Sequence, residues 1–324
     1  MLEQIGTSAT PGNPARVKPP FGAADDVRWM FLTGAHKSGT TWIEHMIVTH
    51  PEIFITGEAW FLGADWDLDD WLNADRFREW ANLSTVQDSW MQGVGIDDQE
   101  AAARRAMIES QMRLRLEPGV KVMGDRSPLR YLQKIEQLHR LFPDAVVVNA
   151  LRDGRDVAVS HHFHMIRNGE QWAFQNKKEL KIRQKYFVEN KGDPVPLFSK
   201  SSLQKVARLW LDAIDGRSRG IDLFKDRFID LRYEELLADP YGVVRVFQML
   251  GVSTVKETIE HCIESNRFER KTGRKPGEAD SKSFVRKGVA GDWKNHFRDE
   301  DRALFKEVAG EALIALGYAE DMDW

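Results

Sequence analysis

The residue types with the clearest chemical meaning lie at residues 34–41, where the sequence reads GAHKSGTT. The apolar residues 29–33 come before them, and residues 42–47 repeat apolar side chains at helical spacing, so we expect a strand, a loop and a helix in that order. The backbone N–H groups of such a loop and the N-terminus of the helix favour a bound anion. The alternative is a tight turn with an exposed lysine. We predict a phosphate-binding loop at this position.

The position of Lys37 separates this loop from that of nucleoside triphosphatases. Their pattern, G-x-x-x-x-G-K-[ST], places a lysine after the second glycine, where it reaches the β- and γ-phosphates. Here Thr40 stands at that position, and Lys37 lies three residues earlier. The departure argues against a nucleotide-dependent kinase of related fold, which is kept as the alternative.

Two further segments combine basic residues with features that suit a phosphate. Arg152 follows the apolar residues 145–151, and Ser160 lies two helical turns beyond it. An arginine at the end of a strand offers a planar fork to a phosphate. The other segment, residues 286–295, reads RKGVAGDWKN, in which a glycine follows two basic residues. Exposed arginines beside a helix cap, and a solvated basic loop, are the alternatives.

The composition is typical of an ordinary globular protein. The chain has 324 residues, of which 42% are hydrophobic and 30% charged, and its net charge of −4 gives no overall attraction to nucleic acid or anionic membrane. Cys262 is the only cysteine, so an internal disulfide is excluded and a reducing compartment is favoured. Residues 1–26 lack the apolar centre of a signal peptide. We therefore expect a cytoplasmic protein that binds neither nucleic acid nor membrane, and we find no metal-ligand spacing.

Strand candidates alternate with helical segments along the chain. The strand candidates are residues 29–33, 120–123, 145–151 and 227–231. This alternation predicts an α/β, P-loop-like three-layer fold with a mostly parallel central sheet flanked by helices. Ligands of such sheets bind beyond the carboxyl ends of the strands. We expect a flexible arm at residues 1–26 and a single domain over residues 27–324, in which the polar residues 168–202 form a lid or an insertion.

The three segments together resemble the cytosolic sulfotransferase family, which uses 3′-phosphoadenosine 5′-phosphosulfate (PAPS) as its donor. Residues 37–42 are similar to the 5′-phosphosulfate loop of that family, and residues 152–160 to its 3′-phosphate motif R-x-x-x-D-V-x-x-S. Residues 286–295 are similar to its signature RKGxxGDWKN. The resemblance implies an enzyme that moves a sulfuryl group from PAPS to a hydroxyl or amine of a small-molecule acceptor, without a metal, and releases 3′,5′-bisphosphoadenosine.

The resemblance also implies a role for each matching residue. Lys37 would stabilise the negative charge of the departing phosphate. The 5′-phosphate would be held by Ser38, Gly39, Thr40 and Thr41, the 3′-phosphate by Arg152, Ser160, Arg286, Lys287 and Gly288, and the adenine by Trp42, Tyr233 and Phe268. In-line transfer of this kind depends mainly on positioning and on fixed positive charge.

The residue that takes the acceptor proton departs from the cytosolic pattern. The family's usual histidine lies in a K-T-H-L-P segment, whereas residues 123–128 read MGDRSP. This segment resembles bacterial and carbohydrate sulfotransferases, in which a glutamate after the first helix is the base. Glu58 matches that glutamate and is the first candidate, and Asp125 is the second, because burial can raise the pKa of a carboxyl group toward the working pH. A loop carboxylate is the alternative for Glu58. An approach of His162 or His164 to the acceptor is a further hypothesis, for which core or surface positions are the alternatives.

The acceptor is not identified by the sequence. Trp60, Phe61, Trp66 and Trp71, with nearby aspartates, crowd the segment expected to face it. Such a surface suits a cationic or amphipathic acceptor, and the alternatives are a carbohydrate acceptor or a helix that packs its aromatic residues inward. The dimer segment of cytosolic relatives, K-x-x-x-T-V-x-x-x-E, has no match after Lys294. The oligomeric state is therefore left open.

Overall fold

A sheet of short strands forms the centre of the protein. The computed structural model describes residues 27–59, 62, 95–172 and 174–324. Within these residues the strands are β1 (Arg28–Gly34), β2 (Ile53–Gly57), β3 (Val122–Arg126), β4 (Val146–Leu151) and β5 (Phe228–Arg232). They lie in the order β2-β3-β1-β4-β5, and every pair of neighbours is parallel. The predicted α/β fold with a parallel central sheet is confirmed.

Helices cover both faces of this sheet. The described helices are α1 (Thr40–Val48), α2 (Ile96–Arg113), α3 (Arg130–Gln133), α4 (Ile135–Leu141), α5 (Gly154–Asn168), α6 (Lys177–Phe187), α7 (Lys200–Phe224), α8 (Tyr233–Ala238), α9 (Val244–Leu250), α10 (Lys256–Glu264), α11 (Phe268–Thr272) and α12 (Asp299–Ala315). Short 3₁₀ turns lie at Lys225–Arg227, Pro240–Val243 and Asp292–Asn295.

The side chains of β1 alternate between two hydrophobic clusters, as the pleat of a strand requires. Trp29 and Phe31 belong to one cluster, together with residues of α3, α4, α5, α7 and α12. Met30 and Leu32 belong to the other, together with residues of α1, α9 and α10. Because β1 is buried on both faces, the sheet is the middle layer of three.

The register of the strands brings several loops to one edge of the sheet. Gly34 at the end of β1 pairs with Ala150, and Arg232 at the end of β5 pairs with Leu151. Gly57 at the end of β2 pairs with Arg126. The loops that follow β1, β2, β4 and β5 therefore open on the same carboxyl edge, where a ligand of an open parallel sheet binds.

Two parts of the chain differ from the expectation drawn from the sequence. Strand β2 is not among the predicted strands, because its five residues alternate in burial and follow directly on a turn. Residues 168–202 contain helix α6, and Leu197 and Phe198 are buried in the hydrophobic core. This segment is therefore partly structural, and its role as a lid stays a prediction. Residues 1–26 and most of the segment with Trp60, Phe61, Trp66 and Trp71 lie outside the described residues.

Candidate functional site

The loop between β1 and α1 has the geometry of an anion site. Gly39 precedes α1 with a left-handed backbone, φ 99°, and no side chain among the described residues caps the helix at this residue. The first N–H groups of α1 therefore point out of the helix toward the loop. Ser38 donates its hydroxyl to the carbonyl of Ala35 at 2.7 Å and turns the chain into the helix. Lys37 also has a positive φ, 68°, at the outer side of this turn.

Arg152 joins the three segments that were singled out in the sequence. Its Nη1 donates to the carbonyl oxygen of Lys37 at 3.1 Å, and its Nη2 donates to that of Val289 at 3.3 Å. The guanidinium lies 4.2 Å from the centre of the Tyr233 ring. A Cβ at Gly39 would lie 2.6 Å from a carbon of the same ring, so the loop rests directly on Tyr233. The loop after β1, the end of β4 and the C-terminal segment are thus parts of one site.

Asp156 attaches the C-terminal segment to α5. Its buried carboxylate accepts hydrogen bonds from the backbone N–H of Gly291, at 2.6 Å, and of Trp293, at 2.9 Å. Asp156 lies in the first turn of α5, four residues after Arg152, so the cation before the helix and the anchor inside it are close neighbours in the chain. Asp156 is not among the site residues predicted from the sequence, although its position inside the R-x-x-x-D-V-x-x-S pattern was the available signal.

Arg286 and Lys287 are held by a buried carboxylate. Both form ion pairs with Asp292, and the Nζ of Lys287 lies 2.6 Å from its Oδ1. Burial alone would raise the pKa of Asp292, but hydrogen bonds from His296, Lys287 and Arg286 hold it well below its usual range. Gly288 follows with φ 65°, and a Cβ there would lie 2.3 Å from the Phe268 ring. The backbone of the basic segment is therefore in close contact with an aromatic ring.

Aromatic side chains line the other end of the site. The indole of Trp42 meets the Tyr233 ring edge to face, with 5.7 Å between ring centres. Its Nε1 donates to the carbonyl of Asn266 at 2.9 Å, two residues before Phe268. The three rings predicted to contact a base are thus linked through direct contacts and a short stretch of backbone.

The ammonium of Lys37 faces helix α5. Its Nζ lies 3.4 Å from the Nδ1 of His164 and 4.0 Å from the centre of the Phe284 ring. Burial, together with the charges of Arg167 and Arg152, lowers the pKa of Lys37 to about 8. Ser160 lies one turn before His164 on the same face of α5 and is half-buried. Lys37 and Ser160 therefore approach the site from two different elements.

The two carboxylates predicted as bases have very different surroundings. Asp125 is completely buried and accepts hydrogen bonds from the Thr56 hydroxyl at 2.8 Å, from the Ala59 N–H at 2.9 Å and from the Tyr131 hydroxyl. Burial raises the pKa of Asp125, and these bonds act against it. The side chain of Glu58, by contrast, is 44% exposed and forms an ion pair with Arg126 at 2.9 Å. Glu58 is therefore the more accessible of the two carboxylates.

The histidines of α5 occupy different environments. His162 is fully buried, and its two nitrogens lie 2.8 Å from the Ala158 carbonyl and 2.9 Å from the Ser202 hydroxyl. Burial lowers the pKa of His162 to about 4, so it is a neutral core residue. His161 stacks on His36 of the loop, with 5.8 Å between ring centres, and His164 contacts Lys37. His36 and His161 were not predicted as site residues, because only the tertiary fold brings them together.

Among the described residues, no group of three or more histidine, cysteine, aspartate or glutamate side chains is arranged to hold a metal ion. None of the helices in the described part of the chain has the length and apolar character needed to cross a bilayer.

Comparison with known proteins adds an independent line of evidence. A family model described as the sulfotransferase family matches residues 30–256. The 3-beta-hydroxysteroid sulfotransferase of Cavia porcellus is 26% identical over 247 residues, which cover 71% of this chain and 76% of that protein. Sulfotransferase 2B1 of Homo sapiens is 36% identical over 119 residues, or 31% of this chain and 32% of that protein.

A solved structure extends the likeness to the fold. The crystal structure of mouse sulfotransferase SULT7A1 complexed with PAP superposes with a TM-score of 0.51. It is 19% identical and the superposition covers 88% of this chain and 84% of that chain. The match supports the same α/β fold over most of the length.

Proposed function

This chain belongs to the sulfotransferase family and uses PAPS as its donor, and we propose that it transfers the sulfuryl group to a hydroxyl or amine of a small molecule. The observation that carries the site assignment is the double hydrogen bond of Arg152 to the carbonyls of Lys37 and Val289. These two hydrogen bonds connect the anion loop and the basic C-terminal segment through one guanidinium group. A nucleotide with phosphates at both its 5′ and 3′ positions needs two anion sites, whereas the nucleoside triphosphate of a kinase, with phosphates at the 5′ position alone, needs one.

The proposed donor contacts follow from this arrangement. The N-terminus of α1 and the hydroxyls of Thr40 and Thr41, with the backbone of Ser38 and Gly39, would bind the 5′-phosphate. Ser160 would bind the 3′-phosphate together with Arg152, Arg286, Lys287 and Gly288. The linked rings of Trp42, Tyr233 and Phe268 would receive the adenine, because base and aromatic ring gain free energy by stacking.

The proposed transfer is an in-line displacement. The acceptor oxygen or nitrogen forms a bond to sulfur while the bond between sulfur and the bridging phosphate oxygen breaks, and that oxygen keeps the electron pair. Lys37 would stabilise the negative charge that develops on the oxygen, because a fixed cation is worth more in a partly desolvated site than in water. The acceptor loses its proton to a base in the same step.

Glu58 is the proposed base, and Asp125 is the second candidate. The accessible side chain of Glu58 supports this order, since Asp125 already accepts three hydrogen bonds in the interior. Burial lowers the pKa of His36, and the Glu58 carboxylate acts on the same ring in the opposite direction, which indicates that Glu58 lies near the donor loop. The ion pair with Arg126 would orient the carboxylate.

The acceptor is proposed to enter over His36. The rings of His36, His161 and Trp172 form a row, with 5.8 and 5.6 Å between successive centres, and Trp172 is 47% exposed. A hydroxyl acceptor is supported by the name of the steroid sulfotransferase that this chain resembles, and a carbohydrate acceptor is the alternative. We further propose a cytoplasmic location and a single domain over residues 27–324.

The assignment is tested with single variants and a donor-dependent sulfation assay on a compound panel. We expect Lys37→Ala to lose turnover by roughly 1,000-fold, and Arg152→Ala to act mainly by weakening the binding of 3′,5′-bisphosphoadenosine in calorimetry. Lys178→Ala, on the exposed surface of α6, is the matched control. Full activity in both site variants, or tighter binding of ATP than of bisphosphoadenosine, would refute the assignment.

The base is tested separately. Glu58→Gln keeps the shape of the side chain and removes its ability to take a proton. We expect kcat to fall by about 100-fold or more while the affinity for bisphosphoadenosine is unchanged. Normal kcat in this variant would place the base elsewhere, and Asp125→Asn is then the next variant to measure.

A further inference from the structure

His164 lies between two cations, Lys37 of the loop after β1 and Arg167 of α5. Its Nδ1 is 3.4 Å from the Nζ of Lys37 and 3.0 Å from the Nη2 of Arg167. Arg167 follows His164 on the same face of α5, and its Nη1 donates to the carbonyl of Ser283 at 2.6 Å. The Phe284 ring covers Lys37 from the other side. One imidazole nitrogen thus faces an ammonium and a guanidinium together.

The neighbours of His164 determine its tautomer. Ammonium and guanidinium groups only donate hydrogen bonds, so Nδ1 must be an unprotonated acceptor. The proton then lies on Nε2, which is 3.3 Å from the Oε1 of Glu170. The side-chain amide nitrogen of Asn168 lies 3.2 Å from the same nitrogen, but with Nε2 protonated it donates to Glu170, at 2.9 Å, and not to the ring. The ring is therefore held from both sides with a defined orientation.

His164 is neutral at physiological pH. Burial and the charges of Lys37 and Arg167 lower the pKa of His164 to about 4, although the Glu170 carboxylate acts against them. His36 is the remaining titratable group that affects it, and also lowers it. On the side of Lys37, the charged neighbours are Arg167, Arg152 and Glu170. No acid–base change of His164 is therefore needed for it to act between pH 6 and about 8, the range in which Lys37 is charged.

We propose that His164 is a positioning residue, which holds the Lys37 ammonium through a neutral acceptor and so leaves the full positive charge of Lys37 for the departing phosphate. A carboxylate at the same place would hold the ammonium too, but it would compensate the charge on which the transfer depends. A neutral acceptor holds the ammonium in place without compensating its charge. The inference rests on the proposed role of Lys37 in the transfer.

Three variants at one position test this inference. His164→Leu removes the acceptor, His164→Asn keeps a neutral acceptor oxygen, and His164→Asp has the same shape as the asparagine variant but a negative charge. We expect kcat to fall by roughly 100-fold in the leucine variant, the order of loss that a misplacement of about 1 Å causes. Asparagine should restore most of it. Donor KM should stay within about threefold in the leucine and asparagine variants, because the phosphate contacts are made by other residues.

The aspartate variant distinguishes positioning from a purely structural role. Its kcat should be as low as that of the leucine variant. The alkaline limb of kcat/KM for the donor should lie about one pH unit or more above that of the wild type, because a carboxylate raises the pKa of a neighbouring lysine. His261→Leu, on the exposed side of α10, is the control for the substitution itself. Equal kcat in the asparagine and aspartate variants, or an unshifted limb, overturns the inference.

The same assays separate this inference from the proposed function. If Lys37→Ala loses turnover and His164→Leu keeps it, Lys37 acts as proposed and only the role of His164 is wrong. If Lys37→Ala itself keeps wild-type turnover, the proposed role of Lys37 fails and that of His164 fails with it. Loss in both, with recovery by asparagine alone, supports both.

Discussion

Two glycines of the C-terminal segment allow the donor site to be tested apart from backbone strain. Gly288 and Gly291 both have left-handed backbone, with φ of 65° and 77°. A Cβ at Gly288 would lie 2.3 Å from a carbon of the Phe268 ring, whereas a Cβ at Gly291 would meet no described atom within 4 Å. Alanine therefore adds similar strain at both positions and forces the ring to move at only one of them.

The expected magnitudes follow from these two effects. A left-handed backbone costs an alanine about 1–2 kcal/mol, so each variant should lose about that much free energy of unfolding. If the Phe268 ring stacks on the adenine, its displacement in Gly288→Ala removes a further contact worth about 1–3 kcal/mol of binding free energy. That loss corresponds to roughly 5- to 150-fold weaker binding of bisphosphoadenosine. Gly291→Ala should bind it within about threefold of the wild-type affinity.

Two measurements decide the outcome. Urea unfolding gives the loss of stability in each variant, and titration calorimetry with 3′,5′-bisphosphoadenosine gives the dissociation constant. Equal affinity of Gly288→Ala and Gly291→Ala for the nucleotide would show that the contact between Gly288 and Phe268 has no part in donor binding. Phe268→Leu, without any backbone strain, should reproduce the weaker binding of Gly288→Ala.

Two further predictions concern stability. The pKa of His162 is about 4 in the folded protein and about 6.5 in an unfolded chain, so the unfolded state binds the extra proton between these values. The contribution of neutral, buried His162 to the free energy of unfolding is fully present above pH 6.5, and about 3 kcal/mol of it should be lost as the pH falls to 4. Urea unfolding at a series of pH values measures this loss. If the free energy of unfolding falls with pH equally steeply in His162→Asn, the prediction is wrong. Asp156→Ala leaves the backbone N–H groups of Gly291 and Trp293 without their carboxylate, and we expect it to cost about 3–5 kcal/mol in urea unfolding, whereas a loss below 1 kcal/mol would show that the anchor is dispensable.

The sheet could be predicted to different degrees along the chain. The strand at residues 145–151 is apolar except for Asn149 and contains three consecutive valines, a pattern typical of a strand that is buried on both faces, as β4 is. Strand β2 lies at the edge of the sheet and is only half-buried, so its short pattern carries little information. Residues 168–202 have a polar composition, from which the burial of Leu197 and Phe198 in the core could not be predicted. Burial in that segment depends on partners that are distant in sequence.

The parts of the candidate site that are formed by residues close together in the sequence could be predicted. An anion loop depends on backbone N–H groups, a glycine and a helix N-terminus, all of which lie within residues 34–41. Asp125 is the opposite case, because its environment is formed by Thr56, Ala59 and Tyr131, and no sequence pattern connects these residues. The same holds for the contact between Lys37 and His164, which joins residues 127 positions apart.

The basic residues of the C-terminal segment are paired with a carboxylate in the structure, which their sequence pattern does not indicate. Read as a motif, Arg286 and Lys287 are two free cations that await a phosphate. In the structure both already neutralise the buried Asp292 carboxylate, which cannot take up a proton near neutral pH because its pKa lies far below its usual range. A dianionic phosphate carries more charge than this carboxylate, and can accept from both cations while they keep part of their contact with it. Asp292 therefore holds the two side chains in place before the donor arrives, which reduces the side-chain entropy that binding must overcome.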